Sequence, residues 1–268
     1  MRITFLGGGN MASALIGGLI AKGTDARSIA VIELSSAARE RLAAKYPVQI
    51  ASAPEAAVQA SDVLVLAVKP QDARAALAAI SVGKQLVVSV AAGLTLETLS
   101  RWLGGYRRMV RCMPNTPALI GAGIAGLYAL PEVNAEEKKT AETILGAVGE
   151  VVWVIEERLL DPVTAVSASG PAYVFWFIEQ LAATGMKLGL PADVAKKLAL
   201  HTVLGAAKLA VSSSEPPATL RKNVTSKGGT TEAALKVFDE ERLADRFARA
   251  VAAASERATE MGKELGKD

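Results

Sequence analysis

Residues 1–23 read MRITFLGGGNMASALIGGLIAKG, and this stretch decides the fold. Ile3, Phe5 and Leu6 make a short apolar run that Gly7-Gly8-Gly9 interrupts. From Asn10 the apolar residues return at helical spacing, with Met11, Leu15, Ile16 and Leu19 on one side. The reading is a strand, a tight turn and a helix start, with the pattern Gly7-x-Gly9-x-x-Ala12. In such a unit the first glycine makes the turn and the second lets a pyrophosphate approach the backbone. The small third residue allows close packing of helix on strand. A second strand, Ile29–Ile32, ends in Glu33, and an acidic residue at that distance bonds the ribose hydroxyls of a dinucleotide. Ala12-Ser13-Ala14 mimics a leader cleavage site, but the glycine triplet breaks the apolar run and only Arg2 precedes it, so a secretory leader is rejected.

Outward from that unit, short β-rich runs alternate with helical patterns. The expected strands are Arg2–Leu6, Ile29–Ile32, Val48–Ile50, Val63–Val68, Leu86–Ser89 and Met109–Arg111. Helices are expected at Asn10–Lys22, Ala37–Lys45, Glu55–Ala60, Asp72–Ile80 and Leu96–Trp102. Runs apolar throughout, such as Val63–Val68, belong to parallel strands covered on both faces. Ile124–Tyr128 and Val151–Ile155 extend the sheet around a helix at Ala135–Ala147. This predicts an α/β fold: a Rossmann doubly wound parallel sheet over residues 1–157. From Leu159 everything reads as helix, giving an all-α domain over residues 158–268 with short Gly, Ser and Pro breaks. Its segment Pro171–Leu188 carries Tyr173, Val174, Phe175, Trp176, Phe177 and Ile178 in succession. A helix apolar on nearly all sides must be surrounded, either within its domain or by another subunit.

Composition narrows the function classes. The 268 residues are 51% hydrophobic but only 4% aromatic, so the apolar content is mostly Ala, Leu and Val. A net charge of +3, with no basic cluster interleaved with aromatics, gives nucleic-acid binding no support. One cysteine, Cys112, excludes an internal disulfide and suits a reducing cytoplasm. One histidine, His201, sits in an apolar helical stretch and reads as packing or helix surface. One His and one Cys make no recognisable metal site. The most apolar segment is too short for a membrane span and is followed by Glu179.

Three strand ends carry unusual residues: Val68-Lys69-Pro70-Gln71, Ser89-Val90-Ala91-Ala92-Gly93 and Arg111-Cys112-Met113-Pro114-Asn115-Thr116-Pro117. Ligands of doubly wound sheets sit beyond such ends. The Lys-Pro pair is expected to stop its strand in an extended turn. A second glycine-bearing helix start lies in Pro217–Asp239, PATLRKNVTSKGGTTEAALKVFD. Gly228, Gly229, Thr230 and Thr231 precede an amphipathic helix and point backbone N–H groups and two hydroxyls at one spot. A small carboxylate fits there without any arginine.

Together, GGGNMASALIGGL, AVKPQ, VAAGLTLETL, RCMPNTPALIGAG, SASGPAYVFWFIE and the 217–239 segment resemble the pyrroline-5-carboxylate reductases, in order and over nearly the whole chain. The resemblance implies a Rossmann domain that takes NADPH or NADH. It also implies a helical domain that forms a homodimer, with dimers sometimes assembling further. The substrate, 1-pyrroline-5-carboxylate, would lie between one subunit's cofactor domain and the partner's helices. Position by position, Leu6, Gly7, Gly8, Gly9, Asn10 and Met11 would cradle the pyrophosphate, with Glu33 and Ser35 near the adenosine ribose. Ala67, Val68, Lys69, Pro70, Val90, Ala91 and Ala92 would line the ribose sides, and Asn115 would sit near the nicotinamide. Glu157, Asn223, Gly228, Gly229, Thr230 and Thr231 would hold substrate, with Thr231 the catalytic candidate.

Two positions depart from the family pattern. Lys227 stands where many members have proline. Glu33 stands where many have a small hydroxyl residue that meets the 2′-phosphate of NADPH, and a carboxylate there repels that phosphate. Ser35, Ser36 and Arg39 follow closely and offer donors to a phosphate, so both cofactors stay open. The expected reaction delivers a hydride to a ring C=N carbon and needs no histidine, metal or nucleophilic cysteine. Two other readings stand beside it: an oxidoreductase of the same two-domain plan that reduces a different imine or a β-hydroxyacid, and, from a different class, a non-catalytic dinucleotide sensor. β-Hydroxyacid dehydrogenases place a catalytic lysine on the interdomain helix, where this chain offers only Lys187, near the end of 171–188.

Overall fold

The computed structural model describes residues 1–51 and 54–267. Among these residues there are eight strands: β1 (Ile3–Leu6), β2 (Ile29–Ile32), β3 (Gln49–Ile50), β4 (Val63–Leu66), β5 (Leu86–Ser89), β6 (Met109–Met113), β7 (Gly123–Ala129) and β8 (Gly149–Trp153). They form one sheet in the order β3-β2-β1-β4-β5-β6-β7-β8. The helices among them are α1 (Asn10–Ala21), α2 (Ser36–Lys45), α3 (Pro54–Gln59), α4 (Pro70–Ala78), α5 (Leu96–Trp102) and α6 (Ala135–Leu145). Beyond β8 come α7 (Leu160–Val163), α8 (Gly170–Lys187), α9 (Ala192–Ser212), α10 (Pro217–Asn223), α11 (Thr230–Glu240) and α12 (Leu243–Leu265).

Strands β1 to β6 run parallel, with Ile3 facing Ile29 on one side and Val63 on the other. The side chains alternate across the sheet as a pleated strand requires. Ile3, Phe5, Val63, Val65 and Val88 pack on one face with Leu15, Ile16 and Leu19 of α1. Leu6, Leu64, Leu66 and Val87 pack on the other with Leu77, Leu96 and Leu99. The parallel expectation needs one correction at the far edge. β7 runs antiparallel to β6, pairing Cys112 with Leu127, and β8 is parallel to β7. The link from β6 to β7 holds only a short 3-10 turn, Thr116–Ile120. A parallel crossover needs a dozen or more residues, and α6 supplies that length only between β7 and β8.

Contacts divide the chain into two compact units. One is Met1–Ser169 with the tail from Ala254, and the other is Gly170–Ala253. By contacts, residues 158–169 and the end of α12 group with the first unit. Leu160 is buried, and a Cβ on Gly126 of β7 would meet Val163 Cγ1 at 2.7 Å, so α7 lies directly on the sheet. A single π-helical turn, Thr164–Ala168, follows α7. At the tail, Leu265 packs into the second of the two cores and Arg101 donates to Gly266 O at 2.6 Å.

The second unit is all helix. Gly185 of α8 packs against Leu190 and Ala195 at the start of α9, and Tyr173 meets Phe247 edge-on at 6.0 Å between ring centres. Little else in it is covered by the chain itself. No residue of α8, α10 or α11 is buried, and α9 buries only Ala195 and Ala199. Phe175 and Trp176 are 65% and 59% exposed. The surround that the 171–188 sequence demands is thus not supplied within one chain. Among the described residues, no helix is long and apolar enough to cross a membrane.

Candidate active site

In the first unit, the glycine loop leaves the sheet where β2 and β4 part on either side of β1. Gly7 N donates to Ile32 O, and Ala67 N donates to Leu6 O, both at 2.8 Å. Gly7 has φ of 101°, and a Cβ there would lie 2.7 Å from Ala67 O, so the turn admits only glycine. Gly9, the extended N-cap of α1, has nothing within 4 Å of the place a Cβ would take. No side chain caps α1. Its first-turn amides lack intrahelical partners and face that space at the positive end of the helix dipole. Such a cradle fits a diphosphate.

Glu33 follows β2 directly, under the same loop. Its Oε2 accepts from Gly8 N and its Oε1 from Ser35 N, both at 2.8 Å. The carboxylate is thereby fixed, and each oxygen keeps acceptor capacity for a hydroxyl. Arg39 turns its Nη1 to Glu33 O (2.9 Å) and Leu34 O (2.8 Å), while Ser35 Oγ caps α2 by accepting from Ala38 N at 3.3 Å. Arg39 Nη1 is thus engaged in holding the loop, while the Ser35 hydroxyl only accepts there and keeps its proton to donate.

The neighbouring strand ends lie along the same sheet edge. Ala67 and Val68 follow β4 and are half-buried, while Ala91 follows β5 and is buried between half-buried Val90 and Ala92. Lys69 is the exposed, extended N-cap of α4, and Pro70 is its first residue. The helix expected from Asp72 therefore starts two residues earlier, because proline suits the first helical position, whose N–H has no partner to lose. Asn115 is buried, and both ends of its amide are used: Nδ2 donates to Ser167 O at 3.2 Å and Oδ1 accepts from Ile124 N at 3.0 Å. Cys112 is fully buried in β6, which pushes its thiol far up and keeps it protonated.

A feature the sequence did not disclose lies beside Cys112. Arg111, 3% exposed, reaches Glu157 Oε1 at 3.0 Å and Asp161 Oδ1 at 3.8 Å. Glu157 Oε1 also accepts from Leu96 N at 2.7 Å, at the start of α5, and Asp161 Oδ2 accepts from Thr259 Oγ1 at 2.7 Å. One buried guanidinium thus ties β6, α5, the segment before α7, and α12. In the sequence, Arg111 stands out only as the last residue of an expected strand and the first of the strand end that runs to Pro117. An arginine within an apolar strand whose register faces the core is the signal that would have found it.

In the second unit, α11 begins much as α1 does. Gly229 is its extended N-cap with no side chain closing it, and Gly228 precedes it at φ of 73°. Thr230 and Thr231 are its first two residues, the first exposed and the second half-buried. The chain's own carboxylates take two donors here. Gly228 N donates to Glu232 Oε2 at 2.7 Å, and Asn223 Nδ2 at the end of α10 donates to Glu215 Oε2 at 3.0 Å. His201 is exposed on α9.

Comparisons with known proteins address both units. Residues 157–261 match the family model described as pyrroline-5-carboxylate reductase dimerisation. Residues 2–93 match the one described as NADP oxidoreductase coenzyme F420-dependent. The pyrroline-5-carboxylate reductase of Pseudomonas aeruginosa is 45% identical, over 99% of this chain and 98% of its own. The solved structure of a pyrroline-5-carboxylate reductase from Coxiella burnetii superimposes with a TM-score of 0.92 at 40% identity, covering 100% of this chain and 99% of that one. The Plasmodium falciparum pyrroline carboxylate reductase solved with NADP bound gives 0.84 at 30% identity, covering 98% of each chain.

Proposed function

The chain belongs to the pyrroline-5-carboxylate reductase family, and on that premise we propose that it reduces the C=N bond of 1-pyrroline-5-carboxylate to give L-proline, the last step of proline biosynthesis. It is an NAD(P)H-dependent oxidoreductase. The observation that carries the reading is a pair of helices, α1 and α11, each with a glycine N-cap that has no side chain of its own to bond the first-turn amides. One suits a diphosphate and the other an amino-acid carboxylate.

The nicotinamide cofactor, when bound, supplies the hydride. Gly9 and the first turn of α1 hold its diphosphate in this reading, and Glu33 accepts from the adenosine ribose. A carboxylate pinned by two amides cannot turn away from a 2′-phosphate, which argues for NADH over NADPH. The Gly228–Thr231 turn and Asn223 hold the substrate carboxylate. Thr231 Oγ1 bonds the imine nitrogen, steadies the proton there and keeps the ring carbon presented. An imine protonated in solution arrives already electrophilic, so alignment and exclusion of water are the main tasks left to the protein. Glu157, held in place by Arg111, is proposed as a substrate-binding residue on the family resemblance.

The protein is a homo-oligomer. The dimerisation match over 157–261 and the uncovered apolar side chains of α8 support it. Assembly of dimers into larger rings and a cytoplasmic location belong to the proposal. The free, buried Cys112 supports the location.

The test is direct: mix the protein with 1-pyrroline-5-carboxylate and NADH or NADPH and follow loss of the reduced-nicotinamide absorbance. Many turnovers per protomer are expected, with L-proline as product. Oxidation limited to one equivalent, or none, would instead mark a dinucleotide sensor.

A further inference from the structure

The proposed carboxylate cradle is already in contact with carboxylates of the chain itself. Glu232 is the third residue of α11, three beyond the N-cap Gly229. A glutamate at that position ordinarily closes a capping box by bonding the N-cap amide. The chain contains such a box in α6, where Glu137 accepts from Asn134 N at 2.9 Å and Asn134 Oδ1 accepts from Glu137 N at 2.9 Å. Glu137 is nearly buried and also paired with Arg108.

Glu232 differs on each count. The N-cap is a glycine, with no side chain to reciprocate. The N-cap amide is already spent on Ser226 O at 3.0 Å, and Glu232 reaches past it to Gly228 N. Its carboxylate is exposed, and among the described residues no cation pairs with it. Among the described residues, a single hydrogen bond at the surface holds it there. Glu215 repeats the arrangement on Asn223 Nδ2, also exposed.

We infer that Glu232 is an internal competitor for substrate: its carboxylate occupies the Gly228 amide, must swing out when the substrate carboxylate binds, and so raises the substrate concentration the enzyme needs. Glu215 does the same, more weakly, at Asn223. Like charge adds to the competition, because a carboxylate displaced by only a few ångströms still repels the one that replaces it. The inference rests on the proposed substrate cradle.

The test is Glu232→Ala, with Glu232→Gln as a second variant that keeps an acceptor but loses the charge. Steady-state constants for 1-pyrroline-5-carboxylate and for the nicotinamide cofactor would be measured, together with direct calorimetric titration of L-proline. For Glu232→Ala, KM for 1-pyrroline-5-carboxylate and Kd for L-proline are expected to fall together by about three- to tenfold, with the cofactor KM unchanged. Glu232→Gln should move both the same way by less. A parent that turns over substrate, with both constants unchanged or raised in Glu232→Ala, overturns the competitor and leaves the reductase reading standing. A parent without turnover, with L-proline bound more tightly by the variant, supports the competitor and refutes the reductase.

Discussion

Replacing Arg111 with methionine removes the cation that faces Glu157 and Asp161. Arg111 is 3% exposed, and the side chains of its partners are 22% and 18% exposed. Deleting one member of a fully buried pair costs about 3–5 kcal/mol, because the survivor is left charged and unpaired. Here the carboxylates keep some access to water, and Glu157 retains the Leu96 amide. Among the described residues Arg111 Nε has no hydrogen-bond partner, so part of its own desolvation is uncompensated and is relieved by the substitution. These terms place the expected loss at about 2–4 kcal/mol. In thermal unfolding that is roughly 5–12 °C for a chain of this size. Urea unfolding, at one fixed protomer concentration because the protein is a homo-oligomer, measures it directly. Lysine at 111 keeps the charge but loses the two-pronged geometry and should fall between. The triple variant Arg111→Met, Glu157→Gln, Asp161→Asn removes all three charges and should regain at least half of the loss. A single-variant loss below about 1 kcal/mol, or a triple variant no better than the single, would refute the view that Arg111 neutralises these two carboxylates.

Four further outcomes are expected. Thr231→Ala lowers kcat with the cofactor KM unchanged, and identical constants in variant and parent would remove Thr231 from the mechanism. Gly7→Ala destabilises by at least about 2 kcal/mol, since it forces an alanine to positive φ against the Ala67 carbonyl; parent-like urea midpoints would contradict the close approach. Burial raises the Cys112 thiol, so the folded chain keeps a proton that the unfolded chain releases. The stabilisation is complete below the unfolded thiol value of about 8.5 and is lost above it by up to about 1.4 kcal/mol per pH unit. Cys112→Ala should flatten that limb between about pH 8.5 and 9.5, and equal slopes would count against it. Arg242→Gly relieves the one described non-glycine residue at positive φ, 53°. It should stabilise by about 0.5–1 kcal/mol despite losing the exposed pair with Asp245; a lower urea midpoint would mean the pair outweighs the backbone.

Local patterns were legible wherever one residue's chemistry decides the outcome. Three glycines after an apolar run placed β1, the turn and α1, because only glycine takes the backbone that Gly7 needs. The spans Ile29–Ile32, Leu86–Ser89 and Leu96–Trp102 appear as read. Apolar period and proline or glycine breaks are properties of neighbouring residues. The reversal at β7 was not legible, since run composition carries no direction. That residues 158–169 group by contacts with the first unit was not legible either, because helical periodicity begins before the packing partner changes.

Sequence alone therefore determined the elements, the α/β plan, the two glycine-capped helices and the family, all of which depend on side chains a few positions apart. Only the tertiary structure decided which charges meet: Arg111 with Glu157 forty-six residues away, Glu33 with the Gly8 amide, Thr259 with Asp161. Such pairs join distant parts of the chain, and their energies depend on burial and direction, which exist only once the sheet has closed around them.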